Sequence, residues 1–293
     1  MALPAVQQNR NDAPLWLKEL LEAGFKPYIA SSARLLPFLN TRPFGVEAAT
    51  YVMENQAHHP FHEAYLLSNS LSFKSPDLKM PHWVLIDCVL MQTAVVGFMN
   101  NKGDVSENLL QHYRNDSSID FENLNHIPVS GQIASPNADG KSLTGISLFS
   151  LARDIDGPKK LGFFTKALAF EVHQGHRYEW YYGVAQYDNP ALRIHGRFAP
   201  RMEIYQPIVL LHPRKDMTLV YKMRIDFDPY ALEASPVTAA PEPTFWMNAK
   251  DRDAKLRMQE GIAAGKRYFI APPFSVVKGD EILLPIIEEA GSP

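Results

Sequence analysis

The order of apolar and polar positions divides the chain into a polar lead, one helix and a long series of strand-like segments. Residues 1–11 are polar. Asp12-Ala13-Pro14 then opens a helix in which Leu15, Trp16, Leu20 and Leu21 form one apolar face. Asp12 can cap the free amides, Pro14 sits where its missing N–H costs nothing, and Gly24 provides a left-handed stop. From about residue 64 the pattern becomes strand-like. Trp83–Leu90 is a β-branched and aromatic run preceded by Pro81, and Ala94–Met99 is another. Residues 100–125, rich in Asn, Asp and Ser, predict a loop with one short helix around 105–113. Ile127–Ala134 and Leu143–Leu151 read as strands.

Residues 163–187 admit two readings. Phe164, Leu168, Phe170 and Val172 alternate as a strand would, and Arg177–Tyr182 is aromatic, so Gln174-Gly175 becomes a hairpin turn. Lys166, Ala167, Leu168 and Glu171 are good helix formers, so a helix over 163–174 is the other reading. The hairpin is preferred. Met202–Leu211 and Met217–Asp226 form a strand pair about the turn His212–Asp216. Residues 229–243, rich in Pro and Ala, form a crossing loop. Asp251–Ala264 is helical with Gly265 as its stop, and Tyr268–Val277 and Ile282–Ile287 are late strands. Many strands with few long helices predict an α+β protein. Its core is expected to be an antiparallel, barrel-like sheet, closed or half closed. Residues 1–62 would be an N-terminal extension with a packing helix, and 63–293 a single β-rich catalytic domain.

Composition narrows the function. At 293 residues and 46% hydrophobic, the chain can bury a sizeable core without a disulfide or metal staple. A net charge of −3 and the lack of a basic stripe argue against a nucleic-acid partner. Cys88 is the single cysteine, which excludes an intrachain disulfide and argues against a Cys-based zinc site. The opening Met1-Ala2-Leu3-Pro4 lacks the pattern of a signal peptide, and the longest apolar runs fall short of the about 20 residues that span a bilayer. A cytoplasmic location with no membrane partner is the expectation.

The nucleotide fingerprints Gly-x-Gly-x-x-Gly and the Walker loop are absent, as is a Gly-x-Ser-x-Gly elbow. His58 and His62 have helical i, i+4 spacing, but Pro60 between them spoils a regular helix. A surface loop is therefore expected rather than a metal site. His173 and His176 flank the turn at Gly175 and are expected to be exposed. The segment from Ala152 to Phe163 contains the adjacent lysines Lys159 and Lys160 between Pro158 and Leu161-Gly162. In an extended chain adjacent side chains point to opposite faces, so one lysine would face the core. Burial and a neighbouring cation both lower a lysine pKa, and the free amine can attack a ketone to form a Schiff base. A solvated turn with both lysines exposed is the alternative on local chemistry.

This segment resembles the active-site stretch of the acetoacetate decarboxylase-like superfamily, in which Gly-Arg-Glu is followed by Pro-Lys-Lys-Leu-Gly-Tyr. Ile127-Pro128-Val129-Ser130, Val84-Leu85-Ile86-Asp87 and Asp280–Pro285 are colinear with strands of that family, so the resemblance covers roughly residues 80–290. It implies that Lys159 is the Schiff-base lysine and Lys160 its cationic neighbour. Asp87 or Asp154 would handle protons, and Arg153 would orient a substrate carboxylate. The implied activity is a lyase that decarboxylates a β-keto acid or acts on a related ketone, with no metal or organic cofactor. The expected partners are that small-molecule ketone or keto acid and further copies of the chain in a homo-oligomer. Ala152 replaces the motif's Gly, the spacer before Pro158 is one residue short, and Asp87 stands in for a Glu.

A second resemblance covers residues 145–205, which are similar to the core of a Gcn5-related N-acyltransferase. Strand 145–151 would lead into a loop, Asp156–Gly162, that holds a coenzyme A pyrophosphate on backbone amides at a helix start. Helix 163–174 and strand 178–185 would follow. Asn189-Pro190-Ala191 would open the next helix, with His195 near that family's usual Tyr acid. The family's glycine pattern is reduced to Gly162, and Phe163 and Phe164 would crowd the pyrophosphate. The two resemblances part at residues 163–174. A helix after a parallel strand favours the transferase, and one arm of a hairpin favours the lyase. A third class, a binding protein without turnover, would be favoured by an exposed Lys159.

Overall fold

The computed structural model describes residues 13–53, 60–73, 80, 84, 93–152, 160–174, 177–189, 191–210, 214–224 and 242–290. The fold is mixed α+β. The chain forms two compact units, Met1–Pro136 with Ser147–Gly175, and Asn137–Ile146 with His176–Pro293.

The first unit begins with α1 (Leu15–Glu22), which buries Trp16, Leu17 and Leu20. Its end is a Schellman motif: Gly24, at φ +84°, donates to Leu21 O, and Phe25 donates to Leu20 O. Pro14 stands one residue before the helix, in extended conformation. Then come β1 (Lys26–Ser31), β2 (Ala49–Val52), α2 (Pro60–Ser72), β3 (Ala94–Asn101), α3 (Glu107–Asn115) and β4 (His126–Pro136). The strand order is β4-β3-β1-β2, antiparallel except for the parallel β1–β2 edge. Gly97 on β3 faces Gly131 on β4, and the Tyr28 hydroxyl crosses this side-chain-free spot to donate to Ser130 O at 2.8 Å. Tyr28, Phe61, Tyr65, Ile133 and Phe149 join in one apolar cluster. α4 (Leu161–Val172) completes the unit.

The sequence took His58–Glu63 as a surface loop because of Pro60. Pro60 is instead the first residue of α2, where a helix has no N–H to lose, and the helix runs on through His62 and Glu63. The expected strand Trp83–Leu90 lies, apart from Val84, outside the described residues.

The second unit contains β6 (Trp180–Gln186), α5 (Ala191–Gly196), β7 (Met202–Gln206), β8 (Thr218–Arg224), β9 (Phe245–Asn248), α6 (Arg252–Ala263), β10 (Arg267–Ile270), β11 (Val276–Lys278) and β12 (Glu281–Glu289). β5 (Ser142–Ser150) contributes its first part here, and the chain leaves for the first unit at Ser147, whose φ of 49° is left-handed. The strand order is β5-β6-β8-β7-β10-β12-β11, with β9 also on β12. β5 and β6 are parallel, Ser142–Gly145 against Trp180–Gly183, and β8 lies antiparallel between β6 and β7. Asp251 caps α6 by accepting from the amide of Ala254 at 2.9 Å. Lys255, at 1% exposure, donates to the carbonyls of Asp216 and Ala249 at 2.5 and 2.6 Å. Its methylene stem is thereby buried and its charge met by two backbone dipoles.

Neither strand order returns to its first strand among the described residues. The α+β class stands, but the sheet is open where a barrel-like closure was expected. The reason lies at β5 and β6: a parallel pair needs a crossover connection, whereas the expected hairpin would have continued an antiparallel barrel. Among the described residues no helix is long and apolar enough to cross a membrane.

Candidate functional site

The segment singled out by the sequence opens onto α4. Residues 161–172 are α-helical, which corrects the preferred hairpin. The strand-like alternation misled because α4 is buried on nearly every side: of its residues only Glu171 is not fully buried. A helix enclosed on all faces shows no single period.

α4 starts directly after Lys160, whose carbonyl accepts from the amides of Phe163 and Phe164 at 2.9 and 3.0 Å. Lys160 is exposed, and as the N-cap residue it makes no side-chain capping bond. The first amides of a helix have no partner within it, and the aligned peptide dipoles add partial positive charge there. Phe163 and Phe164 are buried at 3% and 7% exposure, as are Leu161 and Gly162 before them. Phe164 stacks on Trp16, with ring centroids 4.8 Å apart, and Trp16 meets Phe44 edge to face. One turn into the helix, the Thr165 hydroxyl donates to Leu161 O at 2.8 Å and lies 2.7 Å from Ser130 Oγ. Ser130 Oγ also accepts from the amide of Phe98. The first turn of α4 is therefore fastened to β4 and, through it, to β3.

Two buried ionisable groups on this helix escaped the sequence reading. Lys166 is fully buried, and burial holds its pKa well below the ordinary lysine value. Its signal was the position of a lysine inside the apolar run Leu161–Val172. His173, expected to be exposed, is 5% exposed at the C-terminal end of α4, and burial lowers its pKa to about 4. Its Nε2 has no hydrogen-bond partner.

Of the residues assigned to the lyase site, Lys160 alone is described. Lys159, Arg153, Asp154 and Asp87 lie outside the described residues, as do His58, His59 and His176. His195, on α5, is buried at 6% exposure, its ring 5.2 Å from that of Tyr221 on β8. Tyr221 is itself fully buried beside Tyr181. Among the described residues no three His, Cys, Asp or Glu side chains gather where they could hold a metal ion.

No family model matches the chain, and no curated protein matches it. Among solved structures the chain is similar to Tetrahymena GCN5, at 12% identity and a TM-score of 0.34, over 60% of this chain and 96% of that one. A likeness of that size carries no argument about fold or activity.

Proposed function

We propose that this chain is a coenzyme A-dependent N-acyltransferase of the Gcn5-related type. The observation that carries the reading is the path β5–α4–β6: a strand, then a helix, then a strand parallel to the first. This is the arrangement by which the sequence separated transferase from lyase. The chain continues into α5, the helix that the second resemblance expects after this strand.

The helix end fits the group it would hold. A pyrophosphate needs backbone N–H donors, partial positive charge and open approach. Lys160 stands exposed at the start of α4 and makes no capping bond there, and Phe164, one of the two rings expected to crowd it, stacks on Trp16. An acyl-coenzyme A supplies an activated thioester. An acceptor amine attacks its carbonyl, the C–S bond breaks as the amide forms, and the thiolate leaves and takes up a proton. His195 is not assigned as the proton donor, because its ring is buried against Tyr221.

The test is calorimetric titration with coenzyme A, followed by an assay of thiol release from acetyl-coenzyme A across a panel of primary amines. Saturable coenzyme A binding with amine-dependent thiol release supports the reading. Absence of coenzyme A binding, together with borohydride trapping of a ketone on the chain, overturns it in favour of the lyase.

A further inference from the structure

The second unit holds a groove of about 650 Å³ between α6 and the strands β9, β10 and β12. That volume lies within the about 300–1,000 Å³ of small-molecule sites. Its floor is apolar: Phe245, the buried Met258 and the ring of the buried Tyr268. Gly261 keeps the floor open. A Cβ there would lie 2.2 Å from the Tyr268 hydroxyl, so the Tyr268 ring packs directly against the helix backbone at this point.

The rim carries two ion pairs' worth of charge, and among the described residues one pair is made. Lys266 Nζ contacts Glu288 Oε1 at 2.7 Å. Arg257 and Glu260 also line the groove, are exposed, and take part in no ion pair among the described residues. They stand three residues apart on α6, with the buried Met258 between them. Residues at i and i+3 have Cβ atoms about 5–6 Å apart on one helix face. A guanidinium and a carboxylate at that spacing, above an apolar floor, complement a compact zwitterion with an apolar body.

We propose that this groove binds an apolar α-amino acid, its carboxylate on Arg257, its ammonium on Glu260 and its side chain on Met258 and Tyr268. Arg is suited to the first contact, since a planar guanidinium forms paired hydrogen bonds with a carboxylate. The site rests on none of the acyl-transfer argument. Every residue in it is in the second unit, and the start of α4 is in the first.

The test is calorimetry and saturation-transfer NMR on the full chain with L-phenylalanine as probe. Two comparators each lack one charge: N-acetyl-L-phenylalanine has no ammonium, and L-phenylalanine amide has no carboxylate. Saturable binding of L-phenylalanine to the native chain is expected. Arg257→Gln should weaken it at least tenfold while leaving the amide's binding unchanged. Glu260→Gln should weaken the amino acid and the amide but not the N-acetyl compound. Both positions are exposed, so unchanged thermal midpoints will show that the fold is intact. No saturable binding to the native chain, or equal binding to the native chain and both variants, overturns the proposal.

Discussion

The indole of Trp16 on α1 lies parallel to the ring of Phe164 on α4, the centroids 4.8 Å apart and the planes within 2°. Both side chains are buried, Trp16 at 2% and Phe164 at 7% exposure. The contact fixes how the first turn of α4 is presented, because Phe164 is only three residues beyond its start. Phe164→Ala removes a stacked ring and leaves a cavity. A loss of about 3–5 kcal/mol is expected in urea unfolding, and Phe164→Leu should cost clearly less.

Lys160→Asp separates the two roles of the α4 start. An acidic group at a helix N-terminus stabilises the helix by about 0.3–1 kcal/mol. The same charge repels a pyrophosphate. The variant should therefore melt at the native temperature or slightly above, while coenzyme A affinity falls at least tenfold. A fall in both measurements would mean that Lys160 acts through the fold alone.

His173 should make stability depend on pH. Its folded pKa of about 4 lies below the ordinary value of 6.5. Between these values the unfolded chain binds the proton and the folded chain does not, so stability is complete above the ordinary value and is lost as pH falls toward the folded one. The size is about 3 kcal/mol. Urea unfolding of the native chain at pH 7 and pH 4.5 should reveal most of that loss, and His173→Phe should flatten it.

Gly97 should tolerate no side chain. A Cβ there would lie 2.1 Å from the Ser130 carbonyl oxygen and 2.7 Å from the Tyr28 hydroxyl. The first of these neighbours is backbone and cannot swing aside. Gly97→Ala is expected to cost at least about 3 kcal/mol, at the upper end of overpacking. A Cβ on Gly103 would meet nothing within 4 Å among the described residues. Gly103→Ala should stay within about 0.5 kcal/mol, which makes it the control in the same thermal melt.

Local signals were legible wherever a backbone constraint or a half-exposed face marked the element. Gly24 and Gly265 have positive φ at the ends of α1 and α6, Asp251 caps α6, and β7 pairs with β8 antiparallel as read. Elements enclosed on all sides were not. β1 is buried at every position after Lys26, so Pro27–Ser31 shows no alternation. α4 is buried nearly all round, and its apolar positions fit a strand as well as a helix. α2 was lost to a rule applied at the wrong place, since a proline that breaks a helix interior is welcome at its first residue. At the site, the sequence located the start of α4 through its Pro-Lys-Lys-Leu-Gly segment, but not the depth of its side chains. Whether Phe163 or His173 faces solvent depends on what packs around α4, and that is decided by residues far away in the chain.

The course of the backbone between the two compact units limits how this protein can have been assembled. The chain passes from one to the other after Pro136, back after Ile146, and across again after Gly175. One of these passages falls inside β5, between Ile146 and Ser147. A single cut therefore frees neither unit. Exchange of one for another by recombination would need matched breakpoints, one of them in mid-strand. A gene truncated at any of the three joints therefore encodes neither unit both complete and alone.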